Sequence, residues 1–142
     1  MAAANLNDIR ETIESRIEEE LRDNNPPYPV VYQNMNYTPE IETTWLQCLV
    51  NFVDSEYLTL GGATDSDNRI SGTLIVNIFN KTGIGNGDSL IIGKRIRDLY
   101  NRINISGIFF ESPVGPEVMS SPSPQGYFQT QVRCTFQIYE AL

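Results

Sequence analysis

The chain has 142 residues, 40% apolar and 20% charged, with 18 acids against 10 bases and a formal net charge of −8. That length fits one domain, 1–142, able to bury about two-thirds of its unfolded surface. The acidic balance disfavours a surface that grips nucleic acid. No run of about 18 apolar residues offers a membrane span, and the lack of histidine removes Ser–His and Cys–His pairs and the commonest metal ligand.

The opening MAAANLNDIRETIESRIEEE has neither a basic n-region nor an apolar h-region, so no signal peptide is expected. The triplets at Asn36, Asn80 and Asn104 then read as chance glycosylation matches. Leu6, Ile9, Ile13, Ile17 and Leu21 recur at helical spacing, with Asn5 as cap, and Asn24 to Pro27 stop the helix. Pro29 to Gln33 reads as a short strand before the turn Asn34-Met35-Asn36. In the strand 44–53, Leu46, Cys48, Val50 and Phe52 share a face; Trp45, Gln47, Leu49 and Asn51 share the other, which is expected to be partly covered. Residues 69–79 alternate again, with Ile70, Leu74, Val76 and Ile78 on one side.

Residues 81–98, KTGIGNGDSLIIGKRIRD, resemble a phosphate cradle at first sight. A P-loop needs four residues between its glycine and the Gly-Lys pair, then a hydroxyl. Here five separate Gly87 from Gly93, and Arg95 stands at the hydroxyl position. The dinucleotide fingerprint fails at Asp88, whose carboxylate would repel a pyrophosphate. The stretch is expected to be a flexible connector, with Asp88 or Ser89 capping a helix over about 88–103. Ile92, Ile96, Leu99 and Ile103 would form its buried stripe. Ser106-Gly107 then turns the chain into Ile108-Phe109-Phe110. Residues 112–125, SPVGPEVMSSPSPQ, predict an exposed Pro/Ser-rich loop and a candidate contact arm. Residues 127–139 alternate throughout and predict a strand with one core face and one polar, weakly charged face.

Helix, strands, helix, strands with long alternating runs predicts an α+β fold. Its sheet would be mixed and mainly antiparallel, with the N-terminal helix and the second helix packed on it. Asp65 to Ile70 begins like a calcium loop but puts Arg69 at a ligand position and Ile70 at the required glycine. Asp54 and Glu56 lack neighbours that would separate their pKa values. Cys48 and Cys134 have no partner at metal-ligand spacing and are expected to be buried free thiols, as in a reducing cytosol. No catalytic, cofactor-binding or metal residue emerges. The remaining candidates are contact residues. Residues 1–23 are acidic and 88–102 basic, so Glu11, Glu14, Glu18 and Lys94, Arg95, Arg97 could form complementary contact patches. Tyr32, Tyr37 and Trp45 are the aromatic candidates.

The residues PYPVVYQNMNYTP (27–39), followed by WLQCLVNF (45–52), carry a family resemblance. The chain resembles the tail terminator-like, or tail completion, proteins of tailed bacteriophages. The match runs through Val30, Tyr32, Asn34, Tyr37, Pro39 and Trp45, then Thr59-Leu60-Gly61 and Gly72-x-Leu74-x-Val76-x-Ile78-Phe79. It continues through the Gly-x-Gly connector, Ile96-Arg97, Gly107-Ile108-x-Phe110 and Gly126 to Gln129. Asn36 departs from the expected proline. The resemblance implies a structural virion protein, not an enzyme. It would form a commonly hexameric ring at the tail–neck junction, assembled in the host cytoplasm. Its implied partners are itself, the tail tube protein and a neck or connector protein, with DNA passing through the lumen without specific binding. A neck or head–tail connector protein is the alternative within that machinery. A nucleotide-binding enzyme using 81–98 is the disfavoured alternative of another class.

Overall fold

The computed structural model describes residues 5–23, 28–33, 44–57, 67–81, 87–119 and 127–141. Helix α1 (Leu6–Glu18) continues into a π-helical turn (Glu19–Asp23), and strand β1 (Val30–Tyr32) follows. Long strands β2 (Trp45–Tyr57) and β3 (Asp67–Lys81) precede helix α2 (Gly87–Tyr100). Short strands β4 (Asn104–Ile105), β5 (Ile108–Phe110) and β6 (Val114–Val118) lead to β7 (Tyr127–Ala141).

The strands form one seven-stranded sheet in the order β1-β2-β3-β7-β5-β4, with β6 also on β7. Only the β1–β2 pair is parallel, so the sheet is mixed and mostly antiparallel, as expected for α+β. Strands β5 and β6 share one edge of β7 end to end: β5 pairs residues 136–138, and β6 pairs 130–133.

Period-2 alternation decides what each face carries. Leu46, Cys48 and Val50 of β2, Leu74, Val76 and Ile78 of β3, and Val132, Cys134 and Phe136 of β7 all face one core. Helix α1 covers it with Ile9, Ile13 and Ile17, and α2 with Ile92, Ile96 and Tyr100. The two helices therefore occupy one side of the sheet. Each fully buried aliphatic side chain contributes about 1.5–3 kcal/mol, so this layer is the main source of stability. Asn5 caps α1 as its sequence predicts, accepting from the backbone N–H groups of Asn7 and Asp8.

Gly72 marks a close approach inside the sheet. A Cβ there would meet Phe136 Cζ at 2.4 Å and the Asn51 carbonyl oxygen at 2.7 Å. Its cross-strand partners are Phe52 and Phe136, whose rings meet edge to face with centroids 5.9 Å apart. A missing side chain on the middle strand lets aromatics from both neighbours touch. Next to it, Val53 bulges out of the β2–β3 register and is exposed.

Both thiols are buried and free. Cys48 lies on β2 and Cys134 on β7, with β3 between them. Two strand spacings are roughly 9.6 Å, beyond the reach of a disulfide.

Three sequence expectations are corrected. Val114 to Val118, expected within the exposed 112–125 loop, is strand β6. Its register skips from Val114 to Glu117, so Pro116, which has no N–H, is not required to donate to the ladder. Pro113 is buried, and residues 120–126 lie outside the described residues. Neither Asp88 nor Ser89 caps α2: the helix already begins at Gly87, and the Ser89 hydroxyl instead donates to Asn80 Oδ1 at 2.9 Å in the core. Finally, α2 ends at Tyr100, which is fully buried and closes the stripe of Ile92 and Ile96, so the predicted helical stripe does not run on to Ile103.

Candidate functional site

The acidic and basic helices meet inside the chain. Arg95 Nε lies 3.2 Å from Glu20 Oε1, with the two side chains 16% and 26% exposed. Arg95 Nη2 also donates to the Glu20 backbone carbonyl at 2.7 Å, and its guanidinium stacks 5.9 Å from the centroid of the Tyr28 ring. The π-helical turn after α1 supplies both Glu20 acceptors. Lower down, Arg16 Nε donates to the Leu99 carbonyl at 2.9 Å, placing a cation at the C-terminal end of α2 where the helix dipole favours it. Tyr100 Oη donates to the Ile13 carbonyl at 2.7 Å. Burial pushes the Tyr100 phenol well above its ordinary range.

The other expected contact residues are placed as follows. Arg97 donates to the Gly115 carbonyl, tying α2 to β6. Lys94 is exposed and paired with Asp98 one turn on, at 2.7 Å. Glu14 accepts from Arg10 at 2.6 Å, and its carbonyl accepts from Tyr32 Oη at 3.4 Å. Glu11 is exposed near Arg10 and Asn7, and Glu18 is half-buried on α1. Tyr37 lies outside the described residues. An open groove of about 550 Å³ runs beside α1 and is walled by Asp8, Glu11 and Glu19, with Arg16 and Ile105. Its walls repel polyanions.

Opposite the helices, the second sheet face carries no described helix. Trp45 is buried at one end of it, stacked on Phe79 with centroids 4.3 Å apart and edge-on to Tyr127 at 6.2 Å. Beside this cluster Asn77 organises an amide ladder across three strands. Its Nδ2 donates to Gln47 Oε1 at 3.1 Å, and its Oδ1 accepts from Gln129 and Gln131, each at 3.0 Å. Next come half-buried Leu49 and Ile75, then Asn51, Thr73 and Thr135. The far end holds Phe109, edge-on to Tyr139 at 5.7 Å. The described charges here are Arg133, paired with Glu117 at 3.5 Å, half-buried Arg69, and Glu111, whose carboxylate accepts from Gln137 Nε2 at 3.1 Å. Sequence reasoning found the weak charge of the last strand and the half-apolar face of β2. It did not join them into one surface, because that requires the register.

Among the described residues, no three His, Cys, Asp or Glu side chains are arranged to hold a metal, and no helix is long and apolar enough to cross a membrane. Residues 82–86 of the glycine-rich connector lie outside the described residues, and Asp88 is exposed in the first turn of α2.

A family model described as phage tail terminator protein matches residues 8–134. No curated protein matches the chain. Among solved structures, one with no functional description resembles it over 96% of both chains, with a TM-score of 0.67 at 16% identity. That likeness shows the fold alone.

Proposed function

We propose, because the chain belongs to the phage tail terminator protein family and is thereby a structural component of a phage tail, that it closes a finished tail tube as a homo-oligomeric ring. The ring is a hexamer at the tail–neck junction. It stops tube polymerisation on one side, presents a docking surface to a neck or connector protein on the other, and lets DNA pass through its lumen. The chain acts as one unit in this role, and its part is structural, not enzymatic.

The observation that carries the reading is the family match, which spans all the described elements from α1 into β7. The electrostatics agree with it. A chain of net charge −8, with its basic helix largely paired internally, offers passing DNA little to bind. Of the expected contact residues, Glu11 and Lys94 have exposed charges within a neighbour's reach.

Size-exclusion chromatography with light scattering, followed by negative-stain microscopy, tests the proposal. The expected result is a ring-shaped particle of six subunits that halts growth of purified tail tubes. A strict monomer that leaves tube growth unchanged overturns it. A ring that binds a neck protein but not tube ends would instead assign the chain to the head–tail connector.

A further inference from the structure

A polar side chain buried in an apolar core costs stability unless a hydrogen bond replaces the water it has lost. Three such side chains meet under the first turn of α2: Asn80, Ser89 and Thr130, each 0% exposed. Asn80 lies on β3 two residues beyond the core residue Ile78, and therefore on the same helix-facing side. Thr130 of β7 is the direct cross-strand partner of Ile78, which makes it the diagonal neighbour of Asn80 on that side. Ser89 comes down from α2 and donates to Asn80 Oδ1 at 2.9 Å.

That bond uses half of the Asn80 amide. The other half, Nδ2, has no hydrogen-bond partner among the described residues, and neither has Thr130 Oγ1. Turning the amide over only moves the problem, because whichever atom faces Ser89 leaves its mate unpaired. The two orphans do not bond each other. Diagonal neighbours have Cα atoms about 7–8 Å apart, so two inward-pointing side chains leave a gap that one small molecule spans.

We infer that one internal water molecule binds here and bridges Asn80 Nδ2 to Thr130 Oγ1. Complete burial keeps out any side chain of another protein. An ion of either sign would give up its hydration for two neutral groups. An anion would also face Asp88 in the first turn of α2, in a chain of net charge −8. A water both donates and accepts, so it serves either orientation of the amide. It also has a further acceptor at hand in the Ser89 hydroxyl, and buried waters hold two to four polar partners. The bridge ties β3, β7 and the start of α2 together at one point. The helix start that looks like a phosphate cradle in the sequence thus turns its hydroxyl inward, and Ser89 is spent on Asn80. This inference stands apart from the tail reading.

The test pairs Thr130→Val with crystal structures of the wild-type and variant chains. Valine keeps the side-chain outline and removes the hydroxyl. If a water bridges the two groups, the variant strands it, and the unfolding equilibrium constant from urea titration should rise roughly ten-fold. A variant as stable as the wild type, or more so, means that the hydroxyl was a dry orphan and overturns the inference. Wild-type electron density should show one peak within hydrogen-bond distance of both Asn80 and Thr130, and the peak should be missing from Thr130→Val. A peak touching only one of them, or a direct bond between the two side chains, overturns the bridge. Crystals grown in bromide supply the remaining arm: an anomalous peak at this position overturns the water in favour of a halide. Should the variant fail to fold, the wild-type density alone decides.

Discussion

A Cβ atom placed on Gly93 comes within 2.6 Å of Pro116 Cγ and 2.8 Å of Pro116 Cβ. Helix α2 therefore rests on strand β6 at a point where no side chain fits between them. Arg97 reinforces the same contact by donating to the Gly115 carbonyl.

Gly93→Ala is accordingly expected to destabilise the fold. In an unconstrained helix interior, alanine would gain about 1 kcal/mol over glycine. Here overpacking against the proline costs about 1–3 kcal/mol, so thermal melting should show a net loss. Adding Pro116→Gly removes the colliding ring, and the double variant should lose less than the two single variants together.

The signs of the two helices were legible from composition, but their meeting was not. Glu20 and Arg95 lie 75 positions apart, and no local pattern encodes that distance. The long strands were legible because alternation is a local signal, and β7 carries it through most of its length. Strand β6 was hidden by its prolines and serines, which read as loop until β7 supplies a ladder partner. The second sheet face was half legible: each strand shows a weakly charged side, and only the register lines those sides up into one surface.

Because Arg95 is committed to Glu20 and Tyr28, Arg95→Glu is expected to weaken the fold of the chain itself. Breaking this partly buried, charge-assisted pair should cost about 1.5–3 kcal/mol. Urea unfolding of Arg95→Ala, Glu20→Ala and the double variant should show positive coupling. Lys94→Glu, at an exposed site, should leave the midpoint within about 0.5 kcal/mol. Equal midpoints for Arg95→Ala and wild type would refute the structural role.

Asn77 is 6% exposed and satisfies three glutamines. Asn77→Ala leaves the ladder short of partners and should cost about 1–3 kcal/mol. Asn77→Asp keeps the acceptors for Gln129 and Gln131 but loses the donor to Gln47. A melting series should place it lower at neutral pH than wild type, with partial recovery as the new carboxyl protonates.

Burial raises the pKa of Cys48 far above the thiol range, pushes Cys134 up to about 12, and raises Tyr100 well above its ordinary value. All three shifts have the same sign. The unfolded chain releases these protons from about pH 9 upward, and the folded chain holds them. Stability is therefore complete below about pH 9 and falls as pH climbs toward 12, by about 1.4 kcal/mol per pH unit for each thiol. Denaturant midpoints between pH 8 and 11 measure the slope, and a Cys48→Ala, Cys134→Ala double variant should flatten it. A thiol reagent at pH 8 should label neither cysteine until the chain unfolds.

Strand β7 is the shared partner of β3, β5 and β6, which sets an order of events in synthesis. Everything from α1 through β6 leaves the ribosome before it, and β3 spends that time with one of its edges unpaired. The core therefore cannot be completed until β7 has emerged. Folding of the sheet therefore waits on the arrival of a single late strand, whatever the earlier elements have already formed.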